Sequence, residues 1–426
     1  MMKKYSFKYG SGSVEFSLPE GENIQELHGN VTEPIQDIPL ALKESLEHPI
    51  EQQPLKEFLH PQDEVTLIIS DMSRFWMRQD LVIPHLIAYM NEVCGIPDSQ
   101  IVILVANGTH IGGDEQELRT LVTDAIYDRI RVVNHDCLSP DLVYLGTTSF
   151  GTQVIVNPLV VGRKVVALGA ATHHVMAGFG GGRKSILPGV SSMKTVQQNH
   201  SHALDPNKPC TNAAIGNAVL DGNPVHLDMC EAAGMVEQLF VVNLVMNAQM
   251  QLARILSGHY LHSWLQACRE VDSMYRVPIR EKADVIIASS GGYPKDMSLY
   301  QGTKTIDNVE FGLKPGGTLV LVMECREGGG PAEYFDWIKP LVNGTLDQEL
   351  RKNFTIPGYI FYLNCEQARR YRILMLTSVP QEQVAPMGIQ TFTDMEELLS
   401  QVDLKDKLVY VIPNGSTVIP GLVKEK

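Results

Sequence analysis

The chain lacks the marks of several protein classes. Its seven cysteines, Cys94, Cys137, Cys210, Cys230, Cys268, Cys325 and Cys365, are scattered, odd in number and without a CxxC pair. A disulfide framework is therefore not expected, and a reduced compartment is. No block of five or more like charges forms an interaction tail. No apolar run approaches about 18 residues, the length a helix needs to span a bilayer. The opening segment, MMKKYSFKYGSGSVEF, has paired lysines but no apolar stretch, which predicts no signal peptide. A basic surplus is also missing: 35 Lys and Arg face 49 Asp and Glu, a formal net charge of -14. Nucleic-acid binding needs a basic face, so it is excluded. A small anion held by a few basic groups in a cleft is not. No internal repeat, low-complexity segment or zinc-type histidine spacing occurs. The absences predict a cytoplasmic protein with neither membrane nor nucleic acid as partner.

What is present is globular: 44% apolar and 20% charged residues over 426 positions, enough for two or three domains. Apolar runs at 65–70, 101–106, 131–135, 164–169 and 238–245 read as buried strands. Helical spacing fits 81–94, 114–129, 191–202 and 259–275 between them, with a hairpin inside 142–170. A second series of strands begins at 284–290 and continues at 318–323, 372–378 and 408–413, with helices near 299–313, 331–342 and 394–401. Alternation of this kind predicts two α/β domains with mainly parallel sheets. They are divided as 1–275 and 276–426, with the active site expected in a cleft between them.

In such folds, function gathers at the carboxyl ends of strands. Three ends carry polar or titratable residues: Asp71-Met72-Ser73-Arg74, Asn107-Gly108-Thr109-His110, and His173-His174. The glycine-rich stretch 178–185 nearly matches a phosphate-binding GxxxxGK[ST] loop, but Arg183 stands where the last glycine belongs. Two readings remain open for it, a nucleotide- or phosphate-binding loop or a tight surface turn with solvated basic residues. Most of the 13 histidines fit ordinary positions, among them His28, His48, His60, His85, His259 and His262. His110, His174 and His200 differ, because they lie at strand ends or just after the glycine loop. In the second half, Tyr300, Gln301 and Lys304 fall on one helical face. They read either as an ordinary solvated face or as a grip for a carboxylate.

The succession DMSR (71–74), NGTH (107–110), HHVMAGFGGGRKSILPGV (173–190), His200, LDGNPVH (220–226) and GGYPKDMSLYQGTK (291–304) resembles the nickel-dependent lactate racemase family from about residue 60 to 310. The resemblance implies a racemase or epimerase of a small 2-hydroxy carboxylate. It implies a nickel-pincer nucleotide, pyridinium-3,5-bisthiocarboxylic acid mononucleotide nickel, attached covalently through Lys184. His200 would complete the nickel coordination, and His110 and His174 would be the acid/base groups. Asp71, Met72, Ser73, Arg74, Gly181 and Gly182 would meet the cofactor. Arg74, Tyr300, Gln301 and Lys304 would bind substrate, and the enzymes that make the cofactor would be transient partners. The family loop reads Asp-x-Thr-Arg-Pro, whereas Ser73 and Phe75 stand here, followed by Trp76. The chemistry is coherent. An unactivated Cα–H resists loss as a proton, whereas hydride loss coupled to deprotonation of the hydroxyl gives a planar keto acid. Two enantiomers facing one fixed acceptor call for two bases, and histidine titrates in the right range.

Overall fold

Strands Val65–Ser70 and Ile101–Ala106 are buried at five consecutive positions each, which only a sheet covered on both faces allows. In this computed structural model, which describes residues 1–423, they are neighbouring interior strands of a six-stranded sheet. Its order is Leu252–His259, Leu239–Met246, Lys164–Ala171, Val65–Ser70, Ile101–Ala106, Arg131–Asn134. Five strands are parallel, and the edge strand Leu252–His259 is antiparallel. This sheet belongs to a unit made of Val31–Ala203 and Ala213–Met274. Its core joins Leu67, Ile69, Ile103 and Val105 to Leu86, Ile87 and Met90 of helix Ile83–Glu92.

The other unit contains Met1–Asn30, Leu204–Asn212 and the chain from Tyr275 onward. Its sheet is parallel throughout, in the order Gln390–Phe392, Arg372–Leu376, Leu313–Val322, Ala283–Ser289, Val409–Ile412, Ile24–Glu26. The mainly parallel α/β class thus holds for both units.

The first 30 residues depart from the division at 275/276. Strands Met2–Tyr9 and Gly12–Pro19 pair as a hairpin whose apolar face, Tyr5, Phe7, Phe16 and Leu18, packs on Val285, Ile287, Val320 and Val322. A two-stranded hairpin needs such a sheet face to be stable. Residues 204–212 also join this unit: Tyr362 Oη donates to the Pro209 carbonyl at 2.6 Å, and Glu366 accepts from Thr211 N at 2.9 Å.

Several elements differ from their sequence outlines. The expected helix 114–129 breaks at Thr123, whose φ of 75° stops it, leaving Glu115–Val122 and Asp124–Tyr127. The expected helix 331–342 is a short turn, Phe335–Trp337, followed by Ile338–Val342. The helices Ile38–Glu47, Pro224–Gly234, Leu346–Lys352 and Ile356–Arg370 were not among the expected elements.

Candidate active site

Strand Val65–Ser70 delivers Asp71 to the carboxyl edge of its sheet, and Ile101–Ala106 delivers the turn that carries His110. Asp71 is buried, and its two oxygens are used separately. Oδ2 accepts from His110 Nδ1 at 2.5 Å, and Oδ1 accepts from Ser73 Oγ at 2.6 Å. Burial opposes the charge of Asp71. The hydrogen bonds from His110 and Ser73, with Arg74 beside them, outweigh it and hold the carboxyl below its usual range. A carboxylate acceptor fixes the hydrogen of His110 on Nδ1. The Nε2 lone pair is left as the basic site, the arrangement of a carboxylate–histidine dyad. Ser73 Oγ also accepts from Arg74 Nη1 at 3.1 Å, so His110, Asp71, Ser73 and Arg74 form one connected chain. The partly buried side chains of Met72, Phe75 and Trp76 pack against the core cluster.

The glycine-rich segment is no solvated surface turn. Arg183 is fully buried and lies over the Trp264 ring, 3.7 Å from its centroid. Its guanidinium donates to the carbonyls of Phe179 (2.8 Å) and Ala177 (2.7 Å) and, through Nε, to His226 Nδ1 (3.2 Å). Trp264 Nε1 donates to the Gly180 carbonyl at 2.7 Å. The loop's carbonyls therefore turn inward, onto its own arginine and tryptophan. Gly181 and Gly182 have φ of 72° and 55°, and a Cβ would come within 2.6 Å of the Ala170 carbonyl or 2.5 Å of Trp264. Only glycine permits this approach. After the loop comes the four-residue turn Gly182–Ser185, too short to serve as the helix N-terminus a phosphate loop needs.

The same loop carries Lys184. Lys184 is half-buried, and its Nζ lies 2.8 Å from His174 Nε2. Burial, with Arg74 and Arg183 nearby, pushes its pKa well down. His174 Nδ1 accepts from Met176 N and Ala177 N, both at 3.2 Å. Burial, then Lys184, Arg74, His200 and Arg183 push His174 well down too. His200, on helix Met193–Ser201, is buried and uses Nδ1–H to donate to the Val196 carbonyl at 2.9 Å. Burial and Lys184 bring its pKa down to about 3. The backbone bond makes Nε2 its unprotonated nitrogen, the form a metal ligand takes. Among the described residues, no group of three or more His, Cys, Asp or Glu side chains forms a metal cluster.

Tyr300, Gln301 and Lys304 lie on helix Leu299–Val309 of the other unit, capped by Ser298, whose side chain accepts from Gln301 N. Every other residue of that helix is buried, so these three form its accessible face.

Arg183, Trp264 and His226 carry no role in the sequence reading, yet they shape the loop. The one signal was the arginine standing in a glycine's place. His226, like His200, is neutral when folded: burial first, then Arg183, brings it down to about 3. In the unfolded chain a histidine binds its proton near pH 6.5. Between about pH 6.5 and 3 unfolding therefore takes up protons, and stability falls on acidification. Each of the two histidines should add a slope of about 1.4 kcal/mol per pH unit. Urea unfolding at pH 6, 5 and 4 measures this, and His226→Gln should make the slope shallower by one histidine. An unchanged slope would mean that His226 is charged in the folded protein.

Residues 9–211 match the lactate racemase N-terminal domain, and residues 279–420 match the lactate racemase C-terminal domain. The chain is 28% identical to the lactate racemase of Thermoanaerobacterium thermosaccharolyticum over 446 residues, covering 100% of both. It is 31% identical to the lactate racemase of Lactiplantibacillus plantarum over 299 residues, 69% of this chain and 68% of that one. The solved structure of the T. thermosaccharolyticum lactate racemase apoprotein superposes with a TM-score of 0.86 at 27% identity, covering 98% of this chain and 100% of that one. A Thermotoga maritima protein shares the fold at a TM-score of 0.60 and 16% identity, over 91% and 97% of the two chains.

Proposed function

The chain belongs to the lactate racemase family and is an isomerase of the racemase type, and we propose that it interconverts the enantiomers of lactate or a closely related 2-hydroxy carboxylate. We further propose that a nickel-pincer nucleotide is anchored on Lys184, with His200 as the protein's nickel ligand. The observation that carries this reading is Lys184. An anchor lysine must be an uncharged amine at neutral pH, and burial between Arg74 and Arg183 favours that form. The donors fit as well, since His200 offers a neutral ring with its hydrogen on Nδ1, the tautomer in which Nε2 is the ligating nitrogen.

When bound, the nucleotide supplies the acceptor for the hydride that leaves the substrate carbon. The chain's own groups do the rest. His110 Nε2 takes the hydroxyl proton, and Asp71 behind it stabilises the imidazolium that forms. His174 is the second acid/base group, serving the opposite enantiomer. Arg74 holds the substrate carboxylate. Tyr300, Gln301 and Lys304, accessible on their own helix, are proposed as substrate-binding residues. The scattered thiols, all free, support a cytoplasmic setting, where cofactor-making enzymes meet the chain transiently. Among the described residues, no helix is long and apolar enough to cross a membrane.

The test is a panel of 2-hydroxy acids incubated in deuterated water with nickel-loaded enzyme. Both enantiomers of lactate should interconvert while retaining the original hydrogen at C2. Wash-in of solvent deuterium at C2 would mean proton abstraction and defeat the hydride route. Inactivity on lactate with turnover of another acid would move the substrate and leave the chemistry.

A further inference from the structure

His174 cannot act on a substrate in the arrangement seen. Its Nδ1 accepts from two backbone N–H groups, Met176 and Ala177, each at 3.2 Å. An imidazole nitrogen that accepts carries no hydrogen, so in the neutral ring the hydrogen is on Nε2. That nitrogen lies 2.8 Å from Lys184 Nζ. An Nε2–H can only donate, and a protonated ammonium has no lone pair to receive it. The pair is consistent in one form alone: His174 Nε2–H donates to the lone pair of an uncharged Lys184 amine. Both ring nitrogens are then occupied. Accepting a proton at Nε2 would require the ring to give up the hydrogen it holds there or to break its two backbone bonds.

We propose that the free amine of Lys184 keeps His174 idle, and that acylation of Lys184 is the event that releases His174 for acid/base work. The proposal rests on the reading of Lys184 as the anchor and His174 as an acid/base group. In the acylation, Nζ uses its lone pair to form a bond to the carbon of an activated carboxylate or thiocarboxylate. The bond from that carbon to its leaving group breaks with its electron pair, and one amine proton departs with the leaving group. The product nitrogen is an amide or thioamide N–H with its lone pair delocalised, a donor and no longer an acceptor. It repels the Nε2–H of His174 where the amine received it. The ring must then turn, and a nitrogen becomes open to substrate. Protein without its cofactor is thus held from using His174 by the same residue that will carry the cofactor.

The experiment uses cofactor-free, full-length protein with 15N-labelled histidine. Long-range 1H–15N correlations report which ring nitrogen bears hydrogen, and solvent exchange reports whether that hydrogen has an acceptor. The His174 signal is assigned by its loss in His174→Gln. In the wild type it should show the Nε2–H form with a slowly exchanging hydrogen. In Lys184→Met, and in protein carrying Nε-acetyllysine at position 184, exchange should speed up by roughly fivefold to tenfold, the worth of one hydrogen bond. The acetylated protein is the sharper case, since it reproduces the acylated nitrogen and keeps the chain length. The proposal is overturned if wild-type His174 carries its hydrogen on Nδ1 or on both nitrogens at pH 7. Unchanged exchange in both altered proteins would overturn it as well. Failure of the anchor assignment reads out separately, as no mass adduct on Lys184 after exposure to the cofactor-making enzymes, and leaves the histidine spectrum untouched.

Discussion

Lys184→Met is expected to reduce lactate interconversion to background and to abolish retention of nickel in the same protein. The side chain keeps its reach and most of its apolar contact, so the loop that presents it should stand. That loop is held by Arg183 on the Phe179 and Ala177 carbonyls and by Trp264 on the Gly180 carbonyl, none of which involves the Lys184 amine. Stability should change by less than about 1 kcal/mol, since the one bond lost is the pairing with His174. The loss of activity therefore cannot be assigned to misfolding, and thermal melts of the variant will show this directly. Three measurements read the outcome together: intact mass for the adduct, metal analysis for nickel, and chiral chromatography for the product. A variant that keeps nickel and turnover would remove Lys184 from the chemistry. A variant that keeps nickel without turnover would leave His200 as the principal holder of the metal and demote the covalent link.

How much of this was legible beforehand depended on what each residue reports through the chain alone. The buried strands were plain because VTLIIS and IVILVA are apolar at every position, as a doubly covered parallel sheet requires. The helix Ile356–Arg370 was not, for the same physical reason turned round. Tyr359, Ile360, Phe361, Tyr362 and Leu363 are all buried, so no polar face marks a 3.6-residue period, and Pro357-Gly358 at its start looks like a turn. Thr355 caps that helix by accepting from Gly358 N, and proline is well tolerated in a first turn. In the site, the strand-end positions of Asp71, His110 and His174 were readable, because the carboxyl edge of a parallel sheet follows from strand boundaries. The partnerships were not. Asp71 and His110 are 39 residues apart and meet only because their strands are neighbours in the sheet. Arg183 looked like a damaged phosphate loop because sequence reports residue type and not direction. The side chain turns into the protein and takes the carbonyls that would otherwise need water.

The Asp71–His110 partnership sets the last expectation, that Asp71→Asn lowers kcat by on the order of 10²–10⁴ while nickel content and the Lys184 adduct stay as in the wild type. The amide is isosteric with the carboxylate, but it cannot serve both neighbours. Ser73 Oγ and His110 Nδ1 each donate to a different oxygen of Asp71. In asparagine one of those positions is an NH₂ group. If it faces His110, Nδ1 must accept, the hydrogen moves to Nε2 and the base is lost. If it faces Ser73, the tautomer survives, yet no negative charge remains to stabilise the imidazolium formed during turnover. Both orientations slow the proton step and leave the anchor alone. Ser73→Ala, which removes one donor and keeps the charge, should cost less than about tenfold. The pH sign follows from the lowered carboxyl of Asp71. The ionised form persists to lower pH than in the unfolded chain, so the pair's contribution to stability is complete above the unfolded carboxylate range near pH 3.9 and is lost only as pH falls through the lower folded value. Steady-state rates of the loaded wild-type and Asp71→Asn proteins, with metal analysis and intact mass beside them, measure the loss in kcat. An intact kcat in Asp71→Asn would show that His110 takes no proton from the substrate.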